Sequence, residues 1–244
     1  YRIYLRGVKQ KIKIYREENI ALFTEMEAKQ QEYGAIAAKM TINIEGQELT
    51  MQKAALLLKD TDRKKRENVY SKIQERRLKD EKSLDNLYDE LIILRQKIAK
   101  NAGFENYRDY MFSAMGRFDY TAEDCFSFHN AISKEIVPIT NEFEKKRKEK
   151  LGYKSYKPWD TSVNVDGLNP LKPFENGEDL INSTIICFNK LKPFFGECLS
   201  IMKEMKHLDL ESKNGKAPGG FMYPLYEIGV PFIYMNAVGS QRDL

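Results

Sequence analysis

Five apolar residues set the strongest limit on what this chain can fold into. Leu84, Leu87, Leu91, Leu94 and Ile98 step by three and four, a spacing that lays one continuous stripe along an α-helix and matches no face of a strand. Gly103 supplies the stop. We read Asp62 to Ala102 as the clearest helical element. Its middle, Gln74 to Lys82, loses the regular apolar spacing, so a core-facing helix of a larger bundle fits better than a coiled-coil seam.

Other stretches agree with a mainly α chain. From about Arg2 to Ala38, Ile12, Tyr15, Ile20, Phe23, Met26 and Ala37 recur near helical spacing, which predicts a long helix or a helix pair. Thr121-Ala122-Glu123-Asp124 is a capping-box pattern opening a helix to about Leu151. Pro138 lies inside that helix and should kink or divide it, and Gly152 closes it. Asn176 to Asp179 begins another helix, interrupted at Pro193 and Gly196 before it resumes through Met205. Thr41 to Ile44 and Glu48 to Thr50 alternate about a Glu45-Gly46-Gln47 turn, as a small hairpin does. Between Tyr153 and Pro173 the chain is a loop, and Trp159 is read as its packing anchor, not as a ligand-stacking residue. No linker divides the chain into independent domains.

Composition narrows the function classes. Charged residues make up 31% of the chain, yet the net charge is only +4. Basic runs such as Arg63 to Arg66 and Lys145 to Lys148 sit among acids, which describes solvated helix faces and argues against nucleic acid as a partner. No apolar run reaches the roughly 20 residues that span a bilayer, so no membrane partner is expected. Three cysteines, Cys125, Cys187 and Cys198, with no Cys-x-x-Cys pair, point to reduced thiols and the cytoplasm.

The stretch from Gly215 to Leu244 carries the functional signal. Gly215, Lys216, Gly219, Gly220 and Phe221 form a glycine-rich turn, and Pro231, Phe232, Ile233, Met235 and Asn236 a short apolar strand bounded by Gly229 and Gly239. Farther upstream stand Tyr15-Arg16-Glu17-Glu18-Asn19, the junction Ala99 to Phe104 with Asn106 to Tyr110, and Lys157-Pro158-Trp159-Asp160. In this order and over nearly the whole chain, these residues resemble the oligoendopeptidase F group of the M3 zinc metallopeptidases.

That resemblance implies a fold, a cofactor and a site. The fold is a multi-helix shell of the neurolysin-like zincin type, with a small antiparallel β element near the C-terminus. Residues 1–244 are expected to form one mainly helical segment of a larger peptidase domain, with the hairpin near 41–50 and the turn and strand at 215–239. The expected activity is zinc-dependent hydrolysis of internal bonds in short peptides. The zinc motif of the family, His-Glu-x-x-His, is absent: His129 and His207 are the only histidines and neither begins it. The resemblance therefore places the zinc ligands after Leu244, in a C-terminal half expected as a partner, and predicts that the chain alone is inactive. Neither His129 nor the pair His207 and Glu211 is assigned to metal, and no catalytic residue is assigned. An extended peptide pairs with a strand edge through its main chain, and the resemblance names Phe232 to Ala237 as that strand. Tyr234, Asn236 and Ala237 are expected to pair with substrate, beside a Gly219–Gly220 turn lying close to it. The alternative is a non-catalytic helical scaffold or interaction module.

Overall fold

The computed structural model describes residues 1–243, which form two compact units, each assembled from two separate stretches of chain. One contains residues 1–33 and 81–153; the other contains 34–80 and 154–244.

In the first unit lie α1 (Arg2–Ile14) and most of α2 (Glu18–Ala38), the predicted helix pair. Buried Asn19, at the start of α2, donates from Nδ2 to the Ile98 carbonyl at 3.0 Å and accepts from Asn101 Nδ2 at 2.8 Å. Arg16 Nε donates to the Asn101 carbonyl. These bonds tie the Tyr15–Asn19 stretch to the end of a later helix.

The predicted Asp62–Ala102 element is two helices, and only the second, Glu81–Asn101, belongs to this unit. There Leu87, Leu91, Leu94, Ile98 and Ala99 are buried. The helix ends at Gly103 (φ +84°), where Phe104 N–H reaches the Ala99 carbonyl and Gly103 N–H the Lys100 carbonyl, the paired bonds of a Schellman stop. A short helix follows at Tyr107–Ala114, capped by Asn106. The Thr121–Asp124 capping box opens Ala122–Ala131. Pro138 acts as expected: a π-helical turn, Ile132–Ile136, separates that helix from Val137–Lys150. Val137 N–H bonds Ile132 O, five residues back. Pro138, having no N–H, cannot continue a regular ladder.

In the second unit the hairpin forms as predicted, β1 (Thr41–Ile44) against β2 (Gln47–Thr50), antiparallel. With α3 (Met51–Leu56) and α4 (Arg63–Leu78) it encloses a core of Ile42, Ile44, Ala54, Val69 and Ile73. The break after α4 carries no glycine or proline. Val69 and Ile73 face this core, whereas the Leu87–Ile98 stripe of the next helix, α5, serves the other unit. That change of face explains the lost spacing from Gln74 to Lys82. With the helices of the first unit as α5 to α8 in chain order, α9 (Gly177–Leu191) and α10 (Pro193–Glu204) pack together. Pro193 starts α10, and Gly196 sits within it, where a β-carbon would overlap Asn189.

The Pro-Trp-Asp loop is a structural knot. Asp160, fully buried, accepts from Arg63 Nε and Arg66 Nη2 (both 3.0 Å), from Arg63 Nη2 at 2.8 Å, and from Lys157 N–H at 3.0 Å. Arg66, also fully buried, donates to the Trp159, Asp60 and Thr61 carbonyls. Trp159 packs its ring 5.5 Å from that of Tyr70, the anchoring role expected of it.

Candidate functional site

Three short strands end the chain. They are β3 (Leu208–Glu211), β4 (Phe221–Tyr223) and β5 (Phe232–Ala237), in the order β3-β5-β4. The expected antiparallel pair is β4 with β5; β3 adds to it in parallel. Four residues give too little alternation for β3 to be read as a strand from the sequence. Ile233, Met235 and Ala237 point to one face and join Leu180, Leu210 and Phe174 in a second core. Beside them Leu180, Phe188, Leu199 and Leu208 line a cavity of about 200 Å³. Phe232, Tyr234 and Asn236 point to the other face.

β5 is therefore the central strand, and this redistributes the expected site residues. Ile233 N–H donates to the His207 carbonyl and Ala237 O accepts from Ser212 N–H, so their main-chain groups are directed toward the β3 side. Main-chain groups alternate between edges along a strand, so those of Tyr234 point to β4, where Phe221 stands opposite. Asn236 points the same way but lies past the end of that ladder. Of the three residues expected to pair with a peptide, Tyr234 and Ala237 have their main chain engaged within the sheet.

Their side chains hold the turn. Tyr234 Oη donates to the Ala217 carbonyl at 2.7 Å; Asn236 Nδ2 donates to the Ala217 and Gly219 carbonyls, both at 2.9 Å. Lys216, nearly buried, sends its ammonium to the Asp209 and Glu211 carbonyls at 3.0 and 2.9 Å and to Asp209 Oδ1 at 2.9 Å. Those two carbonyls flank the point where the β3–β5 register slips. The same ammonium lies 4.5 Å from the Tyr234 ring centre. Lys216 was legible as a motif residue, but nothing in the sequence showed it as the strut between turn and sheet.

The two glycines serve different ends. Gly219 has φ +102°, a conformation that strains any residue with a β-carbon. A β-carbon on Gly220 would stand 3.1 Å from the Tyr234 carbonyl oxygen and 3.3 Å from Met235 Cβ. The close approach at Gly220 is thus to β5 itself.

β4, like β3, is an edge of the sheet. Among the described residues no strand pairs with its outer side. Phe221 and Tyr223 stand opposite Tyr234 and Phe232 in the hydrogen-bonding positions, which turns the N–H and C=O of Met222 outward. Pro224 follows and, lacking an N–H, ends the donor row.

Among the described residues neither histidine belongs to a group of metal-ligating side chains. His207 Nδ1 lies 3.2 Å from the Pro231 carbonyl, and the His129 ring sits beside Phe126. Glu211 Oε1 accepts from Gly177 N–H at 2.7 Å, at the start of α9. Four residues of strand span roughly 13 Å, too far for His207 and Glu211 to share an ion. Among the described residues no group of three His, Cys, Asp or Glu side chains could hold a metal.

The chain is mainly helical with a small three-stranded sheet, and solved peptidases superpose on it. The chain belongs to peptidase family M3, whose family model matches residues 56–244. PZ peptidase A, solved with an inhibitor, superposes with a TM-score of 0.90 at 26% identity, over 99% of this chain and 43% of its own. A protein described as an oligoendopeptidase F from Bacillus anthracis str. Ames gives a TM-score of 0.90 at 25% identity, over 99% and 44%. Another structure described as an oligoendopeptidase F, at 24% identity and a TM-score of 0.91, adds support for the fold. No curated protein matches. The chain spans less than half the length of these structures.

Proposed function

We propose that this chain is the scaffold, channel wall and peptide-pairing part of a cytoplasmic, zinc-dependent oligoendopeptidase that hydrolyses internal bonds of short peptides. Family membership supports the reaction class, and the open outer edge of β4 is the observation that carries the role of this segment. Among the described residues no grouping of side chains fits a zinc site; the metal, which would supply the polarised water when bound, is assigned to residues outside this chain. What the chain contributes is peptide placement.

An extended peptide laid along β4 exchanges two hydrogen bonds with Met222, accepting from its N–H and donating to its C=O, whatever side chains it carries. Such pairing suits broad sequence preference and fixes the distance of the peptide backbone from the sheet. The Gly215–Gly220 turn, held by Lys216, Tyr234 and Asn236, sets where β4 begins. Asn236 lies beyond the end of the β4 ladder, and Tyr234 and Ala237 lie within the sheet that carries β4.

Met222→Pro tests this directly in the full peptidase. It removes the outward N–H while sparing the Phe221 and Tyr223 bonds to β5. One lost hydrogen bond of about 1 kcal/mol corresponds to roughly a fivefold rise in KM. Unchanged KM in a folded variant would rule out β4 as the pairing edge.

A further inference from the structure

The side chains of β4 carry more information than its main chain. Phe221, Met222 and Tyr223 are all well exposed, at 55%, 59% and 60%. In an antiparallel pair, residues that stand opposite project to the same face, and positions without mutual hydrogen bonds bring side chains closest. Phe221 and Tyr223 bond inward to β5, so toward an added peptide they occupy those close positions. Met222, which bonds outward, occupies the wider one.

The two close positions are not equivalent. The Phe221 ring stacks on Tyr234 at 4.9 Å and 11°, and Tyr234 is held by its hydrogen bond to Ala217 O and by the Lys216 ammonium. Phe221 is thus the outermost layer of a braced aromatic stack. Among the described residues the Tyr223 ring has no ring partner. A ring held in advance loses little freedom on binding, so it rewards an apolar or aromatic side chain more than a free ring does.

We propose that Phe221 and Tyr223 are specificity-determining residues, selecting peptides with apolar or aromatic side chains at two positions separated by one residue, with the stronger selection opposite Phe221. The residue between them faces Met222 and is weakly selected. This rests on the strand-addition reading of β4.

The test uses internally quenched alanine-based hexapeptides, with phenylalanine or serine placed at each position in turn, and the full peptidase. Cross-strand aromatic pairing is worth about two- to fivefold per position. The expected preference for phenylalanine over serine in kcat/KM is about fivefold opposite Phe221 and about twofold opposite Tyr223, two positions apart. Phe221→Ala should bring the first ratio near one and leave the second, and Tyr223→Ala the reverse. Phe221→Leu, which keeps an apolar body if the alanine variant is unstable, should retain part of the preference. Ratios unchanged in folded variants, or preferences at adjacent positions, would overturn the proposal. Absence of any hydrolysis by the wild type would instead count against the peptidase reading. Peptide-induced slowing of Met222 amide exchange then tests strand addition by itself, with the same phenylalanine-to-serine comparison read as affinity.

Discussion

At the scale of single residues, Asp160 shows how a loop signature becomes a structural requirement. Burial works to raise its pKa, but hydrogen bonds from Arg63 and Arg66, with the Lys157 N–H, hold it below the ordinary value of 3.8. A carboxylate with a depressed folded pKa contributes stability that is present above the unfolded pKa and is lost as pH falls through the folded one. Asp160→Asn should therefore lower stability near neutral pH and weaken the dependence on pH below about 4. Leaving Arg66 buried beside a neutral partner is expected to cost about 3 kcal/mol, read from urea unfolding at pH 7 and pH 3. A cost equal at both pH values would show that the charge is not what matters. Lys216 has a parallel role: one ammonium satisfies two carbonyls that a slipped register leaves to it.

At the scale of elements, the strand pair β4–β5 depends on the absence of a side chain. Valine at position 220 would press its β-carbon against the Tyr234 carbonyl and Met235. Neither is the flexible end of a long side chain, so the strands must separate. Gly220→Val is expected to cost about 1–3 kcal/mol and to speed amide exchange at Phe221 and Tyr223 while the helices keep their protection. Retained protection at both amides would mean that the turn absorbs the change. The helices follow the opposite logic. Their ends are written in local chemistry, with Thr121 and Asp124 at one start and Gly103 and Gly152 at two stops. The π-helical turn before Pro138 is local too, since it answers one missing N–H.

At the scale of the whole molecule, the units are discontinuous in sequence, and this produces a prediction that linear reading would not. Leu94 is 4% exposed in the core served by α5. Leu94→Ala is expected to cost about 2–5 kcal/mol. Exchange should rise in residues 1–33 and 81–153 together, two stretches separated by 47 residues of chain that belong to the other unit. A uniform rise across all amides would show that the units unfold as one. The boundaries fall inside α2, at the α4–α5 turn and after Gly152. The first lies within a helix and the second in a two-residue turn, so no linker marks them in the sequence.

Helical periodicity, caps, glycine stops and the β1–β2 hairpin were legible because each depends on residues within a few positions of one another. The motif residues of the turn and strand were legible as well, and with them the M3 family. Their places in the site were not. That β5 is central and not an edge depends on β3, four residues whose strand identity comes only from pairing with β5. The arginine partners of Asp160 lie more than 90 residues away, and the proximity of Gly220 to Tyr234 comes from the folding of the turn over the sheet. Sequence alone determined which segments are helix and which family they match, since short-range hydrogen bonding and burial periodicity govern those. Which strands lie at the edges of the sheet was decided only by tertiary structure, because an edge is a property of neighbours and not of the strand itself.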